Sequence, residues 1–275
     1  MTLKSSFYAK LNQQISLFRE RVKMLFTELD NANINLNRKT IQKQLNYLSK
    51  KYFSDLNIKL AFKEIFREGN IGEYKTKASY YMYKNKGIIE VYWWSILYQN
   101  KHVSYDNRDK ILSLRPLNFR DIWPLIAHEL THYIADKERV FKDANIQGIG
   151  TGDIIFGNQE KVKFQYYEDP REILSYAIEY VEELLLRKKD IVKDVIYYLK
   201  SEGIGQHFKQ YETYRQFRKS QPTIYNQFLK HAILYALQKQ LKKKSNIAEY
   251  INTDKQKSFK DLLNFIINSV DNVPI

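Results

Sequence analysis

Asp121-Ile122-Trp123-Pro124-Leu125-Ile126-Ala127-His128-Glu129-Leu130-Thr131-His132-Tyr133-Ile134-Ala135-Asp136 decides how the rest of the chain is read. Its apolar residues at 122, 126, 130, 133 and 134 have the three- and four-residue spacing of an amphipathic helix. Asp121 is the expected N-cap, with Pro124 in the first turn, where a missing N–H costs little. On such a helix His128 and His132 share a face, so both imidazoles can reach one ion, and Glu129 stands beside it without ligating it. The H-E-x-x-H pattern therefore points to two histidine metal ligands with a glutamate as general base. The competing reading is two ordinary histidines on the flank of a packed helix.

A zinc site that does chemistry takes three protein ligands and keeps one position open. The chain has no cysteine, so the third ligand must be His, Asp or Glu. After His132 the sequence runs Tyr133-Ile-Ala-Asp136-Lys-Glu-Arg139, without the glycine and histidine that extend the metzincin motif, which excludes that subclass. The best source of a carboxylate lies further on, in Tyr167-Glu168-Asp169-Pro170-Arg171-Glu172-Ile-Leu-Ser-Tyr176-Ala-Ile-Glu179-Tyr-Val-Glu-Glu183. Asp169 followed by Pro170 is a strong helix start, which puts Glu172 in the first turn with Tyr176 and Glu179 on its side.

Here the sequence resembles the gluzincin branch of the HExxH zinc metallopeptidases, in which a glutamate on a downstream helix completes the site. The wording D-P-R-E-I-L-S-Y-A is similar to a segment of uncharacterised phage and bacterial HExxH proteins, and the resemblance runs from His128 to about Glu183. It implies Zn2+ held by His128, His132 and Glu172, with Glu179 in reserve as the third ligand, and Glu129 as the catalytic base of a peptidase acting on a peptide or protein. It also implies residence in the cytoplasm of a bacterial or phage-infected cell, or in a virion. The family pattern often carries an aspartate four residues after its glutamate; Tyr176 stands there instead. Glu172 has a competing role, since a glutamate at the third helical position can complete a capping box with Asp169. Tyr176 and Tyr133 are both candidates for a hydroxyl donor to a developing oxyanion, and Asp136 for orienting an imidazole.

The fold expected around this site is α+β: a zincin-like core at 56–202 with a small antiparallel-containing sheet and an active-site helix, N-terminal helices at 1–55, and a helical C-terminal extension at 203–275. Residues 3–31 place Phe7, Leu11, Ile15, Phe18, Val22, Leu25 and Leu29 at helical spacing, and 39–52 repeat the pattern on Ile41, Leu45 and Leu48. The period then changes to two at Ile58, Leu60 and Phe62. Residues 77–83 and 87–94 read as a hairpin joined through Lys84-Asn85-Lys86-Gly87, with Gly87 the expected positive-φ residue, and Tyr92, Trp93 and Trp94 as mainly packing residues. The resemblance implies that the edge strand of this sheet borders the cleft, where a peptide can add itself as a further strand.

The three glycines within Asn145–Asp153 lack the ending of a phosphate-binding loop, and read as a loop near the cleft. Residues 156–167 read as a strand or an extended lead into the next helix. Further helices are expected at 170–187, 189–201, 206–219, 222–243 and 257–270, with Ser201-Glu-Gly-Ile-Gly205 as a breaker. His102 reads as exposed, and His207 and His231 as surface or packing histidines.

The net charge of +14 raises a second reading, a basic helical nucleic-acid-binding protein. The basic residues are scattered, with only Lys242-Lys243-Lys244 as a compact run, which favours a solvated basic surface. A third is a zincin-fold phage protein with a structural or binding role. Neither a signal peptide nor a membrane-spanning run is legible in the sequence, and the absence of cysteine excludes a disulfide framework.

Overall fold

The helical and two-residue periods of the sequence become six helices and three strands in the computed structural model, which describes residues 5–32, 38–63, 77–93, 117–141, 166–187 and 209–240. Helices α1 (Ser5–Asn31) and α2 (Arg38–Phe53) come first, followed by strands β1 (Ile58–Lys63), β2 (Ala78–Tyr83) and β3 (Lys86–Tyr92). Helix α3 (Phe119–Lys137) carries the H-E-x-x-H motif, and α4 (Pro170–Leu186), α5 (Lys209–Ser220) and α6 (Pro222–Gln240) complete the set. The glycine-rich loop, the helices expected at 189–201 and 257–270, the breaker at 201–205, Trp94, His102, His207 and the lysine run lie outside the described residues. Of the strand or extended lead expected at 156–167, Tyr166 and Tyr167 are described, and they are helical, because the chain already turns there to enter α4. No helix among the described residues is long and apolar enough to cross a membrane.

The sheet has the order β1-β3-β2. β1 runs parallel to β3, with Leu60 opposite Ile89, and β2 is the antiparallel edge, with Tyr80 opposite Ile89. Alternation turns Ile58, Leu60, Phe62, Ile89 and Val91 inward, where all five are buried. Tyr92 and Trp93 are buried too, and the Trp93 indole N–H donates to Gln42 Oε1 of α2 at 2.8 Å.

The hairpin differs from its sequence reading in one respect. Positive φ falls on Lys84 (49°) and Asn85 (61°), the two central residues of a tight turn whose twist matches that of the strands. Gly87 lies inside β3, and is glycine for a different reason: a Cβ there would sit 2.6 Å from Cδ2 and 2.8 Å from Cε2 of the Tyr133 ring.

Helix α3 begins three residues earlier than its sequence reading. Asn118 is the N-cap, its Oδ1 accepting from the Asp121 N–H at 3.1 Å, while its Nδ2 donates to Asp121 Oδ2 at 2.8 Å. Asn and Asp are both good caps, and the reciprocal pair settles the choice for the earlier residue. Pro124 is therefore inside the helix rather than in its first turn, and its ring takes the place of an N–H that would bond to the Arg120 carbonyl. It is buried, as are Ile122, Trp123, Ile126, Leu130 and Ile134.

One hydrophobic cluster joins α1, α2, the sheet, α3, α4, α5 and α6. His231 of α6 sits in it as a packing residue, its Nδ1 accepting from the Tyr8 hydroxyl at 2.5 Å. Burial, with a smaller push from the Lys230 charge, lowers its pKa to about 3. The unfolded chain takes up this proton near pH 6.5 while the folded chain refuses it, so stability falls as the pH drops below 6.5 and continues to fall toward 3. Between pH 7 and pH 5 the loss from this residue is about 2 kcal/mol. Urea unfolding at the two pH values measures it as the part of the pH dependence that disappears in His231→Gln; an unchanged pH dependence in that variant overturns it.

Candidate metal centre

Helices α3 and α4 pack against each other along most of their length and bring the motif to the downstream glutamate. The N-cap of α4 is Asp169, whose side chain accepts from the Arg171 N–H at 2.8 Å, and Pro170 opens the helix. Glu172 does not turn back to this cap. Its Oε2 lies 3.2 Å from His128 Nε2 and its Oε1 3.4 Å from His132 Nε2, while the two Nε2 atoms are 3.2 Å apart. His128, His132 and Glu172 thus form a group that could hold a metal ion.

The donor triangle tests that statement. Three tetrahedral donors held ~2.0–2.1 Å from an ion lie about 3.3–3.4 Å from one another. The two Nε2 atoms, 3.2 Å apart, have about that spacing, and the Glu172 carboxylate faces both, with Oε2 3.2 Å from His128 Nε2 and Oε1 3.4 Å from His132 Nε2. The chemistry of the atoms agrees. Glu172 Oε2 is a buried oxygen with no hydrogen-bond donor, and it faces an imidazole nitrogen whose ring already has a carboxylate on its other side. A neutral His128 that donates from Nδ1 to Glu179 presents a lone pair at Nε2 to that oxygen, and two such acceptors side by side suit a shared cation.

Helix α4 supplies more than the ligand. Glu172, Ser175, Tyr176 and Glu179 recur at the three-, four- and seven-residue offsets of one helical face. His128 Nδ1 is 2.9 Å from Glu179 Oε2, and His132 Nδ1 is 3.3 Å from Ser175 Oγ, so each imidazole is held on the side away from the ligand triangle. Such partners fix the tautomer and aim Nε2 at the ion. The Tyr176 ring stands edge-on to His128, centroids 4.5 Å apart.

Electrostatics follow from this packing. Burial works against the Glu172 carboxylate, yet the charges and hydrogen bonds of the two imidazoles hold its pKa well below the usual carboxylate range. Burial likewise disfavours a charged His128, but Glu172 and Glu179 on either side raise its pKa well above that of an ordinary histidine. Burial raises the Glu129 carboxyl, against the charges of His128 and His132, which lower it.

Two sequence-derived roles change. Asp136 is exposed and orients neither imidazole, since Glu179 and Ser175 hold both Nδ1 atoms; its neighbour is Tyr80. Tyr133 is taken up by the sheet, against Gly87 and edge-on to Tyr80 at 6.1 Å. Ser175 escaped notice because a serine inside a helix carries no signal of its own, although its i+3 offset from Glu172 places it on the right face. A depression of about 250 Å³, lined by Leu17, Phe18, Leu56, Ile58, Leu130 and Tyr133 among others, lies on the other face of α3 and touches none of the ligands.

Comparison with models of known protein families, with curated proteins and with solved structures finds no match to this chain.

Proposed function

We propose that the chain is a zinc-dependent peptidase of zincin type, with Zn2+ held by His128, His132 and Glu172 and Glu129 as general base. The observation that carries the reading is the convergence of two imidazole nitrogens 3.2 Å apart on one carboxylate, whose two oxygens lie 3.2 Å from His128 Nε2 and 3.4 Å from His132 Nε2, with Glu129 next to His128 in sequence. Two nitrogens and an oxygen suit zinc in the donor set of two histidines and a glutamate. The ion supplies Lewis acidity, polarising a carbonyl oxygen and bringing the pKa of a water toward about 7.

The residues of the chain do the rest. Glu129 takes the proton of the attacking water on its carboxylate and passes it to the departing amine, and the raised pKa that burial gives it suits a group that must both accept and release a proton. Glu179 and Ser175 hold the two imidazoles at Nδ1, which leaves both Nε2 atoms aimed inward. A peptide reaches the site along β2, an antiparallel edge strand that packs on α3 and pairs on one side only among the described residues. Main-chain hydrogen bonds to that edge orient the scissile bond.

The test is metal content. Wild-type protein purified in metal-free buffer and reloaded with zinc carries one zinc per chain, while His132→Ala and Glu172→Ala carry much less, and chelation abolishes peptide cleavage. Zinc retained by Glu172→Ala moves the third ligand elsewhere. Absence of zinc from every form, together with oligonucleotide binding that weakens steeply with salt, favours the nucleic-acid reading instead.

A further inference from the structure

The sheet gathers lysines that lie apart in the sequence. Its inner face, with Ile89 and Val91, packs on α3, and alternation turns Lys59, Tyr81, Tyr83, Lys86 and Ile88 to the other face. The pairing sets them side by side: Lys59 and Tyr81 flank Ile88 from the two neighbouring strands, and Tyr83 stands opposite Lys86. At the hairpin end this face is open. Tyr81 and Tyr83 are 41% and 57% exposed, and Lys59, Lys84 and Lys86 are exposed beside them. The other end is closed, with Tyr92 buried and its hydroxyl 3.0 Å from Ser79 Oγ. One exposed tyrosine needs no explanation, but two on one face among unpaired cations form a patch.

The free charge of the patch has one sign. Glu90 is the only carboxylate on this face among the described strands, and its oxygens are already in use. It accepts from the Tyr81 and Tyr92 hydroxyls at 3.1 and 3.2 Å, and Lys63 Nζ lies 3.5 Å away. Lys59, Lys84 and Lys86 form no ion pair among the described residues. Lys84 instead places its Nζ 5.3 Å from the centroid of the Tyr83 ring, a cation over a π face. Lys84 and Asn85 have the positive φ of a tight two-residue turn, so Lys84 and Lys86 are carried by a defined hairpin. The bond to Glu90 holds Tyr81 by its hydroxyl, which leaves less side-chain freedom to lose on binding.

We propose that the hairpin end of this outer face binds a single-stranded nucleic acid, with bases stacked on Tyr81 and Tyr83 and phosphates held by Lys59, Lys84 and Lys86. Residues two apart on a strand are about 6.7 Å from each other, so bases on the two rings belong to successive nucleotides of an extended strand. Main-chain hydrogen bonds lie in the plane of a sheet, so this face cannot take a peptide as a further strand; only an edge can. What it offers is planar π surface and positive charge, the two features that grip a single strand whatever its sequence. A duplex keeps the faces of its bases inside the stack, and an acidic peptide answers the charge but not the rings. The net charge of +14 adds attraction at longer range. The patch lies on the side of the sheet away from α3, and its binding needs no metal ion.

Fluorescence anisotropy of labelled oligo(dT) and oligo(U) with the full chain, over a range of salt concentrations, tests the proposal. Tyr83→Leu, which keeps an apolar side chain and loses the flat ring, weakens binding about 10-fold, while Tyr83→Phe binds as wild type does. Tyr81→Leu is the second variant, on the other ring, so one that fails to fold does not decide the matter. Lys84→Gln with Lys86→Gln lowers the slope of log affinity against log salt by about 1.4. The charge-matched pair Lys23→Gln with Lys219→Gln, exposed on α1 and α5, leaves the slope as it was. Tighter binding of one oligonucleotide than the other names the strand as DNA or RNA and supports the proposal. Unchanged affinity in both leucine variants overturns it, as does a duplex that competes as well as the single strand. Poly-glutamate that displaces the oligonucleotide equally well from wild type and Tyr83→Leu overturns it in favour of an acidic polypeptide. Affinity that disappears on chelation overturns it too, because the strand would then sit at the metal centre.

Discussion

Glu129→Gln lowers peptide hydrolysis by about 10²–10⁴-fold, the range that a positioned general base supplies, and leaves one zinc per chain in place. The expectation follows from what the substitution removes. Glutamine keeps the length and planarity of the side chain, and keeps it beside His128 on α3, but it cannot take up a proton. Glu129 is outside the ligand triangle, so the donors to the ion are untouched. The variant therefore separates two functions that Glu172→Ala removes together. Its effect falls on kcat, since the proton moves in the chemical step. Removing the carboxylate also removes one negative charge from a buried cluster that already holds Glu172 and Glu179, so zinc affinity changes little compared with loss of a ligand. Steady-state kinetics with a fluorogenic peptide, beside metal analysis of the same preparation, gives both quantities. Full activity in Glu129→Gln with zinc bound removes the glutamate from the mechanism and turns the reading toward a zinc-holding binding protein.

Much of this arrangement was legible in the sequence, because it is built from helical offsets. His128 and His132 at four residues, and Glu172, Tyr176 and Glu179 at four and seven, are each fixed on a face by local geometry alone. The helix start at Asp169-Pro170 set the register of α4, and the structure keeps it. What the sequence left open was the division of labour on that face. Whether Glu172 caps its helix or reaches the histidines depends on how α3 and α4 approach each other, which no local spacing encodes. The same holds for Glu179, a reserve ligand by resemblance, which lies 2.9 Å from Nδ1 on the far side of the His128 ring.

In the sheet, alternation identified β1 and the two hairpin strands, but the parallel pairing of β1 with β3 joins residues about thirty apart and leaves no local mark. Gly87 was read through turn chemistry, whereas the constraint on it is the ring of Tyr133, forty-six residues later in the chain. The start of α3 was misplaced by three residues because Asn118 and Asp121 are both competent caps and only their mutual hydrogen bonds rank them.

The largest stability effect comes from Glu182, a residue that sequence spacing gave no reason to single out: Glu182→Ala destabilises the fold by about 3–5 kcal/mol. Its side chain is fully buried, yet both carboxylate oxygens are satisfied. Oε2 accepts from the Trp123 indole at 2.8 Å, and Oε1 from the Tyr235 hydroxyl at 2.6 Å and the Lys239 ammonium at 2.8 Å, with the Arg19 guanidinium 3.6 Å away. These partners come from α1, α3 and α6, so a single carboxylate on α4 ties four helices together. Burial alone would push its pKa up, but Lys239 and Arg19 bring it below the usual carboxylate value, and it stays ionised. Removing it takes the acceptor from the Trp123 N–H and the Tyr235 hydroxyl and the neighbouring carboxylate from the largely buried Lys239 ammonium, which keeps Ser16 Oγ at 3.2 Å. Most of the loss is the cost of those stranded groups rather than the net worth of the pair. Replacing the buried ion pair by apolar side chains, in Glu182→Leu with Lys239→Met, therefore costs less than the two single changes added together, and the double-mutant cycle with Glu182→Leu and Lys239→Met measures the coupling. Urea unfolding of wild type, Glu182→Ala and the three variants of the cycle decides it: a loss below about 1 kcal/mol in Glu182→Ala would mean that water reaches the pocket and takes over as donor and acceptor. The consequence reaches the metal site, because Trp123 and Glu182 pin α3 to α4 one to two turns from His128 and Glu179. A helix pair loosened there cannot hold the Glu172 carboxylate 3.2 and 3.4 Å from the two imidazole nitrogens, so zinc affinity falls together with stability in Glu182→Ala.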